Sequence, residues 1–180
     1  MLVERMNEMN FDLSQEQAML QKMIREFSDE VVAPGAVERD RTKAFPLEVF
    51  KELSQMGIMG LPFSEEYGGA GADTVSFAIV TEELSRVCAS TGITYSAHIS
   101  LGGAPLHLFG TEQQKQKYLT PICTGESFGA FGLTEPNAGS DAGGTETSAT
   151  LSNGEFVING TKVFITNASY YGLCAFWPMD

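Results

Sequence analysis

The sequence has few cysteines and no long apolar run. Of its 180 residues only three are cysteines, Cys88, Cys123 and Cys174, and their wide spacing fits neither a redox pair nor a zinc site. We therefore expect reduced thiols and no metal centre, which favours the cytoplasm. The sequence contains no run of about 18 apolar residues, the length needed to cross a membrane, and its first residues lack the apolar core of a signal peptide.

Positive charge is scarce and dispersed. Eleven Lys and Arg residues stand against 23 Asp and Glu residues, which gives a formal net charge of −12. Because no cluster of basic residues could follow a phosphate backbone, we exclude nucleic acid as a partner. Hydrophobic residues make up 43% of the chain and charged residues 19%, and this balance is typical of a globular protein rather than a disordered one.

The first two-thirds of the sequence predicts helices. Ser14 and Gln17 have the spacing of a capping box, and apolar residues then recur at helical spacing as far as Pro34. Further helices are predicted over residues 46–57, 74–88 and 91–109. A last, short helix begins with the capping pattern of Thr111 and is predicted to stop before Pro121.

The pattern changes to that of strands after Pro121. Candidate strands cover residues 128–135, 147–151, 155–159 and 161–166, and Asn153-Gly154 is typical of a hairpin turn. We predict a multidomain α+β protein with an N-terminal all-α helical bundle over residues 1–122. An incomplete antiparallel β domain follows over residues 123–180, because four short strands do not easily close a barrel or a sandwich.

The segment from Phe131 to Asp141, FGLTEPNAGSD, is a candidate binding loop. It combines a strand with a polar loop whose glycine permits close approach of the backbone to a ligand. An anionic or heteroaromatic ligand would suit its hydroxyl and amide groups. Loops of this composition are more often simple turns, and the residues alone leave both interpretations open.

Two motifs in order resemble those of the acyl-CoA dehydrogenase family. Thr134-Glu135-Pro136 followed by a Gly-Ser-Asp loop is similar to the family's flavin-binding signature, and NGTKVFITN at residues 159–167 resembles its Asn-Gly-x-Lys-x-Trp-Ile-Thr-Asn segment. Phe164 stands where the family usually has tryptophan, which keeps an aromatic face but loses an indole N–H. The resemblance covers residues 10 to about 168, and we expect the last residues to depart from the family pattern.

The resemblance implies sites for FAD and acyl-CoA. The residues expected to contact the cofactor are Phe131, Leu133, Thr134, Gly139, Ser140, Phe164, Ile165 and Thr166. Ser140 is also expected near the bound acyl-CoA. Tyr95 and His98 are candidates to border the acyl chain, although a core position is the commoner role of a histidine on an apolar helix.

The implied reaction is the α,β-dehydrogenation of an acyl-CoA to a trans-2-enoyl-CoA in fatty acid β-oxidation. An electron-transferring flavoprotein would accept the electrons, and the full-length family forms homo-oligomers. The family's catalytic base is a glutamate of a C-terminal helical domain that we expect to be absent here, so no residue is a catalytic candidate and the chain alone is expected to be inactive. The alternatives are a non-catalytic FAD- or acyl-CoA-binding fragment, an acyl-CoA oxidase-like relative, and a helical interaction protein without a ligand.

Overall fold

Helices precede two small sheets in the fold. The structure is a computed structural model that describes residues 11–170 and the backbone of residues 172–176. The helices are α1 (Gln15–Phe27), α2 (Ala36–Thr42), α3 (Leu47–Gln55), α4 (Thr74–Val87), α5 (Ala89–Ala97), α6 (Ala104–Phe109), α7 (Glu112–Gln114) and α8 (Thr120–Thr124). The strands are β1 (Phe128–Gly132), β2 (Ser148–Ser152), β3 (Glu155–Asn159) and β4 (Gly172–Phe176). The predicted α+β architecture is confirmed.

The helices begin where local capping chemistry predicts. Ser14 Oγ accepts the N–H of Gln17 at 3.1 Å, and the Gln17 side chain accepts the N–H of Ser14 at 2.9 Å. The same reciprocal pair forms between Thr111 and Gln114, and the Asp73 carboxylate caps α4. These starts are predictable because each depends on residues within a single helical turn.

The prediction that the last helix stops before Pro121 is wrong. Pro121 lies in the first turn of α8, and the helical path runs on until Gly125, which has a φ of 77°. A π-helical turn over Lys115–Leu119 precedes it, in which Thr120 donates its N–H to the carbonyl of Lys115. The wider turn gives the proline ring room, and proline's missing N–H is tolerated in a first turn.

The described residues of the β part form two separate pairs of strands. β2 and β3 form the predicted antiparallel hairpin, and Asn153 and Gly154 take φ values of 54° and 85° at its turn. β1 pairs in parallel with β4, which the sequence did not predict. The predicted strand over residues 161–166 does not form, because Phe164 has a φ of 58° and so leaves the extended conformation.

The core holds β1 directly against the helices. Side chains from α1, α3, α4 and α5 are fully buried around it, among them Ile24, Leu53, Val80, Leu84 and Tyr95. A π-helical segment, His98–Gly103, continues α5 and meets β1 backbone to backbone. A Cβ added to Gly102 would lie 2.3 Å from the Cα of Gly129, so this approach requires glycine.

Within the described residues, no helix combines the length and the apolar character that a membrane span needs.

Candidate functional site

The two sequence motifs meet at one cleft of about 220 Å3. One wall is the end of β1 with the residues that follow it, the second is the segment Phe164–Thr166, and the helix α5 with its π-helical continuation closes the floor. The lining residues are Ala97, Leu101, Phe131, Leu133, Thr134, Phe164, Ile165 and Thr166. The structure thus brings together six of the eight residues that the sequence assigned to the cofactor.

A buried ion pair holds the two walls together. Lys162 Nζ lies 2.7 Å from Glu135 Oε1, and both side chains are only 4% exposed. The same ammonium donates to the carbonyl of Leu133 at 3.0 Å, and the N–H of Val163 donates to the carbonyl of Thr134 at 2.9 Å. The segment before Phe164 is therefore fixed to the chain that leaves β1.

Glu135 is a structural anion. Beside Lys162, its carboxylate accepts the backbone N–H of Glu146 at 2.6 Å and that of Thr147 at 3.0 Å. Hydrogen bonds from Lys162, Thr147 and the Glu146 amide lower the pKa of Glu135 to about 2. A carboxylate so stabilised is a poor proton acceptor, so Glu135 is no catalytic base. The sequence analysis missed this pair, although both residues belong to the two motifs that it compared.

Asn167 fixes the far end of the second wall. Its Nδ2 donates to the carbonyl of Thr94 at 3.2 Å and to the carbonyl of Gly129 at 3.0 Å. The residue is buried and has a φ of 70°, a conformation that asparagine tolerates better than most residues do. One side chain thus ties the segment to both α5 and β1, and the sequence analysis assigned no role to it.

Gly139 and Ser140 lie outside the cleft. Both are exposed, in the loop that follows the turn between Glu135 and Ala138. They do not line the cleft with the other predicted cofactor residues. Their assignment to the cofactor and to acyl-CoA stays a prediction.

Tyr95 and His98 do not border the cleft. Both are fully buried, and the Tyr95 hydroxyl donates to the carbonyl of Ile58 at 3.2 Å. The hydrogen-bond partners of both side chains lie in the core. From this stretch of helix it is Ala97 and Leu101, four residues apart, that line the cleft. Their assignment to the acyl chain, which was made for Tyr95 and His98, stays a prediction.

His98 joins three parts of the core. Its Nδ1 accepts the N–H of Gly129 at 3.1 Å, so Nε2 carries the proton and faces the carbonyls of Met59 and Ile122, each at 3.1 Å. Burial lowers the pKa of His98 to about 4, against the opposing effect of the two carbonyls. The imidazole is neutral and structural.

The family models decide the relationship of the chain to known proteins. The acyl-CoA dehydrogenase N-terminal domain matches residues 14–126, and the acyl-CoA dehydrogenase middle domain matches residues 130–179. The chain belongs to the acyl-CoA dehydrogenase family. The second match extends past residue 168 and includes β4. The expectation that the last residues depart from the family pattern is therefore wrong.

Curated acyl-CoA dehydrogenases match almost the whole chain. The probable acyl-CoA dehydrogenase YngJ of Bacillus subtilis (strain 168) is 54% identical over 162 residues, which are 90% of this chain and 43% of that protein. The short-chain specific acyl-CoA dehydrogenase of Clostridium acetobutylicum is 53% identical over 159 residues, 88% of this chain and 42% of that protein. The chain thus spans less than half the length of these relatives.

Solved structures of acyl-CoA dehydrogenases share the fold. Butyryl-CoA dehydrogenase from Megasphaera elsdenii matches with a TM-score of 0.90 at 41% identity, over 95% of this chain and 46% of that one. Acyl-CoA dehydrogenase of Bacillus anthracis complexed with FAD gives 0.83 at 38% identity, over 93% and 30%. A chain from work on the electron transferring flavoprotein of Acidaminococcus fermentans gives 0.92 at 43% identity, over 96% and 45%.

The cleft of this acyl-CoA dehydrogenase chain suits a planar, uncharged ring. None of the described residues that line it carries a formal charge, and two of them are phenylalanines. Phe164 is 93% exposed, so one face of its ring is open to a ligand. Within the described part of the chain, the backbone N–H groups of Thr134 and Thr166 donate no hydrogen bond, so both are available to an acceptor. These features fit the isoalloxazine of a flavin.

Proposed function

We propose that this chain forms the flavin-binding walls of an acyl-CoA dehydrogenase that uses FAD to oxidise a short acyl-CoA to its trans-2-enoyl thioester. The meeting of Phe131, Leu133 and Thr134 with Phe164–Thr166 in one uncharged cleft carries this proposal. The FAD complex of the related Bacillus anthracis enzyme supports it. The names of the short-chain and butyryl-CoA relatives support the substrate class.

The chain's own residues would position the cofactor. FAD, when bound, supplies the acceptor of the substrate hydride. Phe131 and Phe164 would pack on the ring system, while the N–H groups of Thr134 and Thr166 would donate to its polar edge. The Glu135–Lys162 ion pair would keep the two walls at a fixed separation, so that the ring meets a rigid site.

Removal of the α proton needs a base, which the described residues of the cleft do not provide. An α proton of a thioester is too weakly acidic for water, so a positioned carboxylate is required. Among the residues that the structure describes, no lining residue is acidic, and the Glu135 carboxylate is held by its hydrogen-bond donors. We propose that the complete enzyme supplies this base from outside the described residues. The same observation favours a second candidate function, in which the chain binds FAD or acyl-CoA without chemistry.

The remaining assignments concern the complete protein. We propose that it acts in fatty acid β-oxidation in the cytoplasm, assembles as a homo-oligomer, and passes its electrons to an electron-transferring flavoprotein. The similarity to a chain from work on the Acidaminococcus fermentans electron transferring flavoprotein supports the electron acceptor.

The experiment is flavin binding to the chain, measured by gel filtration and visible absorption, followed by anaerobic addition of butyryl-CoA. We expect retained FAD that stays oxidised, because the cleft holds a ring but no base. Lys162→Met should weaken FAD binding by about tenfold or more, since the walls lose their ion pair. Lys51→Met removes an exposed lysine that pairs with Glu48 on α3 and should leave binding unchanged.

Three outcomes separate the possibilities. Colourless protein at saturating FAD would disprove the proposed flavin site, provided that circular dichroism shows a folded chain. Bleaching of the bound flavin by butyryl-CoA would show that this chain supplies its own base, against the argument above. Equal losses in both lysine variants would mean that the Glu135–Lys162 pair has no special role in binding.

A further inference from the structure

A second cavity lies one helical turn along α5 from the cleft. Its volume is about 400 Å3, and it shares no lining residue with the cleft: Thr94 borders the cavity and Ala97 borders the cleft. Its walls come from α2, from the loop before α3, from the start of α5 and from the residues after Asn167. The residues that matter for its chemistry are Arg39, Lys43, Phe45, Ser90, Thr94 and Tyr170.

Two cations face this cavity without a carboxylate partner. Arg39 and Lys43 lie four residues apart at the end of α2, and in the part of the chain that the structure describes neither forms an ion pair. Arg39 donates to the carbonyl of Val32 and interacts with the Cys88 thiol, whereas its Nε is buried and has no hydrogen-bond partner among the described residues. Arg41, between them in sequence, pairs with Glu38 at 2.6 Å. Like charges at this spacing repel, and a bound anion would relieve the repulsion.

Most described cations of this chain, whose net charge is −12, pair with acids, and two of those that do not, Arg39 and Lys43, line the same cavity. Asp40 also borders it, but this exposed carboxylate lies too far from either cation for an ion pair among the described residues. Cations are favoured at the C-terminal end of any helix, which could by itself explain Arg39 and Lys43. Exposed side chains satisfy that preference, however, and it does not require a guanidinium with a buried Nε. The two charges therefore indicate a ligand.

The opposite wall of the cavity is apolar. The rings of Phe45 and Tyr170 stack with their centroids 3.8 Å apart, and Pro46 continues this surface. The hydroxyl-bearing residues Ser90 and Thr94 lie one helical turn apart on α5. We propose that this cavity binds a small organic oxyanion, whose phosphate or carboxylate head contacts Arg39 and Lys43 and whose apolar body packs on the aromatic pair.

The test is a titration of the flavin-free chain with phenyl phosphate, benzoate and inorganic phosphate, followed by amide chemical shifts in NMR spectra. We expect saturable shifts around residues 39–46, 90–94 and 169–170, with an aromatic anion bound more tightly than inorganic phosphate. Lys43→Asn removes the exposed charge at a position with a φ of 56°, which asparagine tolerates, and should weaken binding about three- to tenfold. Lys117→Gln, an exposed lysine outside the cavity, should not.

The two aromatic probes identify the head group. If only phenyl phosphate binds, the head group of the ligand is a phosphate ester. If benzoate binds, alone or as well as phenyl phosphate, a carboxylate head group is sufficient for binding. No saturable shift up to about 10 mM probe, the weak limit for a specific site, would overturn the proposal. Equal weakening by Lys43→Asn and Lys117→Gln would also overturn it, since only general charge would then matter. Because no flavin is present, neither result depends on the proposed FAD site.

Discussion

His98 illustrates how one buried side chain can organise a site without taking part in it. Its ring bridges the chain after α3, the end of α8 and the first residues of β1. The strand that carries the first wall of the cleft is therefore positioned by a hydrogen bond to a neutral imidazole. A histidine in this setting makes the fold sensitive to pH, because protonation would remove the acceptor for the Gly129 N–H.

The stability of the chain should consequently fall as the pH drops below neutrality. An unfolded histidine takes up a proton below its ordinary pKa of 6.5, whereas His98 in the fold does so only near 4. Stability that is fully present above pH 6.5 is thus lost as the pH falls toward 4, by a total on the order of 3 kcal/mol. Urea unfolding between pH 7.5 and 4.5 would measure this loss.

His107 provides the matched control for that experiment. The His107→Gln variant removes the second histidine and should keep the whole pH dependence. An imidazole signal of His98 that titrates near pH 6.5 in NMR spectra of the folded chain would contradict the argument.

The contact between β1 and the π-helical segment is the element on which the cleft depends. Gly102 and Gly129 let the two backbones touch, and a Cβ on Gly102 would meet backbone atoms that cannot rotate away. Gly102→Ala should therefore destabilise the fold by about 3 kcal/mol, near the upper range for overpacking. Thermal unfolding measures this, and Gly143→Ala, whose added Cβ would make only an ordinary contact, should be close to neutral. Equal melting temperatures in both variants would disprove the close approach.

The same elements show what the sequence could and could not predict. Capping at Ser14 and the turn at Asn153-Gly154 depend on neighbouring residues, so local chemistry was sufficient. Continuation of the helix through Pro121 depends on a preceding π-helical turn, and the pairing of β1 with β4 depends on residues about 40 positions apart. The cleft residues were found through two motifs, whereas the buried Glu135–Lys162 pair follows only from tertiary contacts.

At the scale of the whole molecule, a net charge of −12 disfavours self-association, whereas an exposed apolar surface favours it. Leu151, Phe156 and Ile158 share one face of the β2–β3 hairpin, with exposed fractions of 64%, 69% and 49%. Apolar side chains in a row on a two-stranded sheet favour contact with another sheet face. Copies of the chain repel one another through their acidic surfaces, and this repulsion weakens when salt screens it.

We therefore expect the chain to self-associate more strongly as the ionic strength rises. Sedimentation velocity at about 0.01 and 0.5 M salt should show a shift to larger species, because the Debye length falls from about 30 Å to a few Å. Phe156→Thr should reduce association at high salt, since it removes the largest apolar side chain of that face. Val157→Thr lies on the opposite face of β3 and should leave association unchanged. Association that weakens with salt would show that charge pairing, rather than the apolar face of the hairpin, holds the copies together.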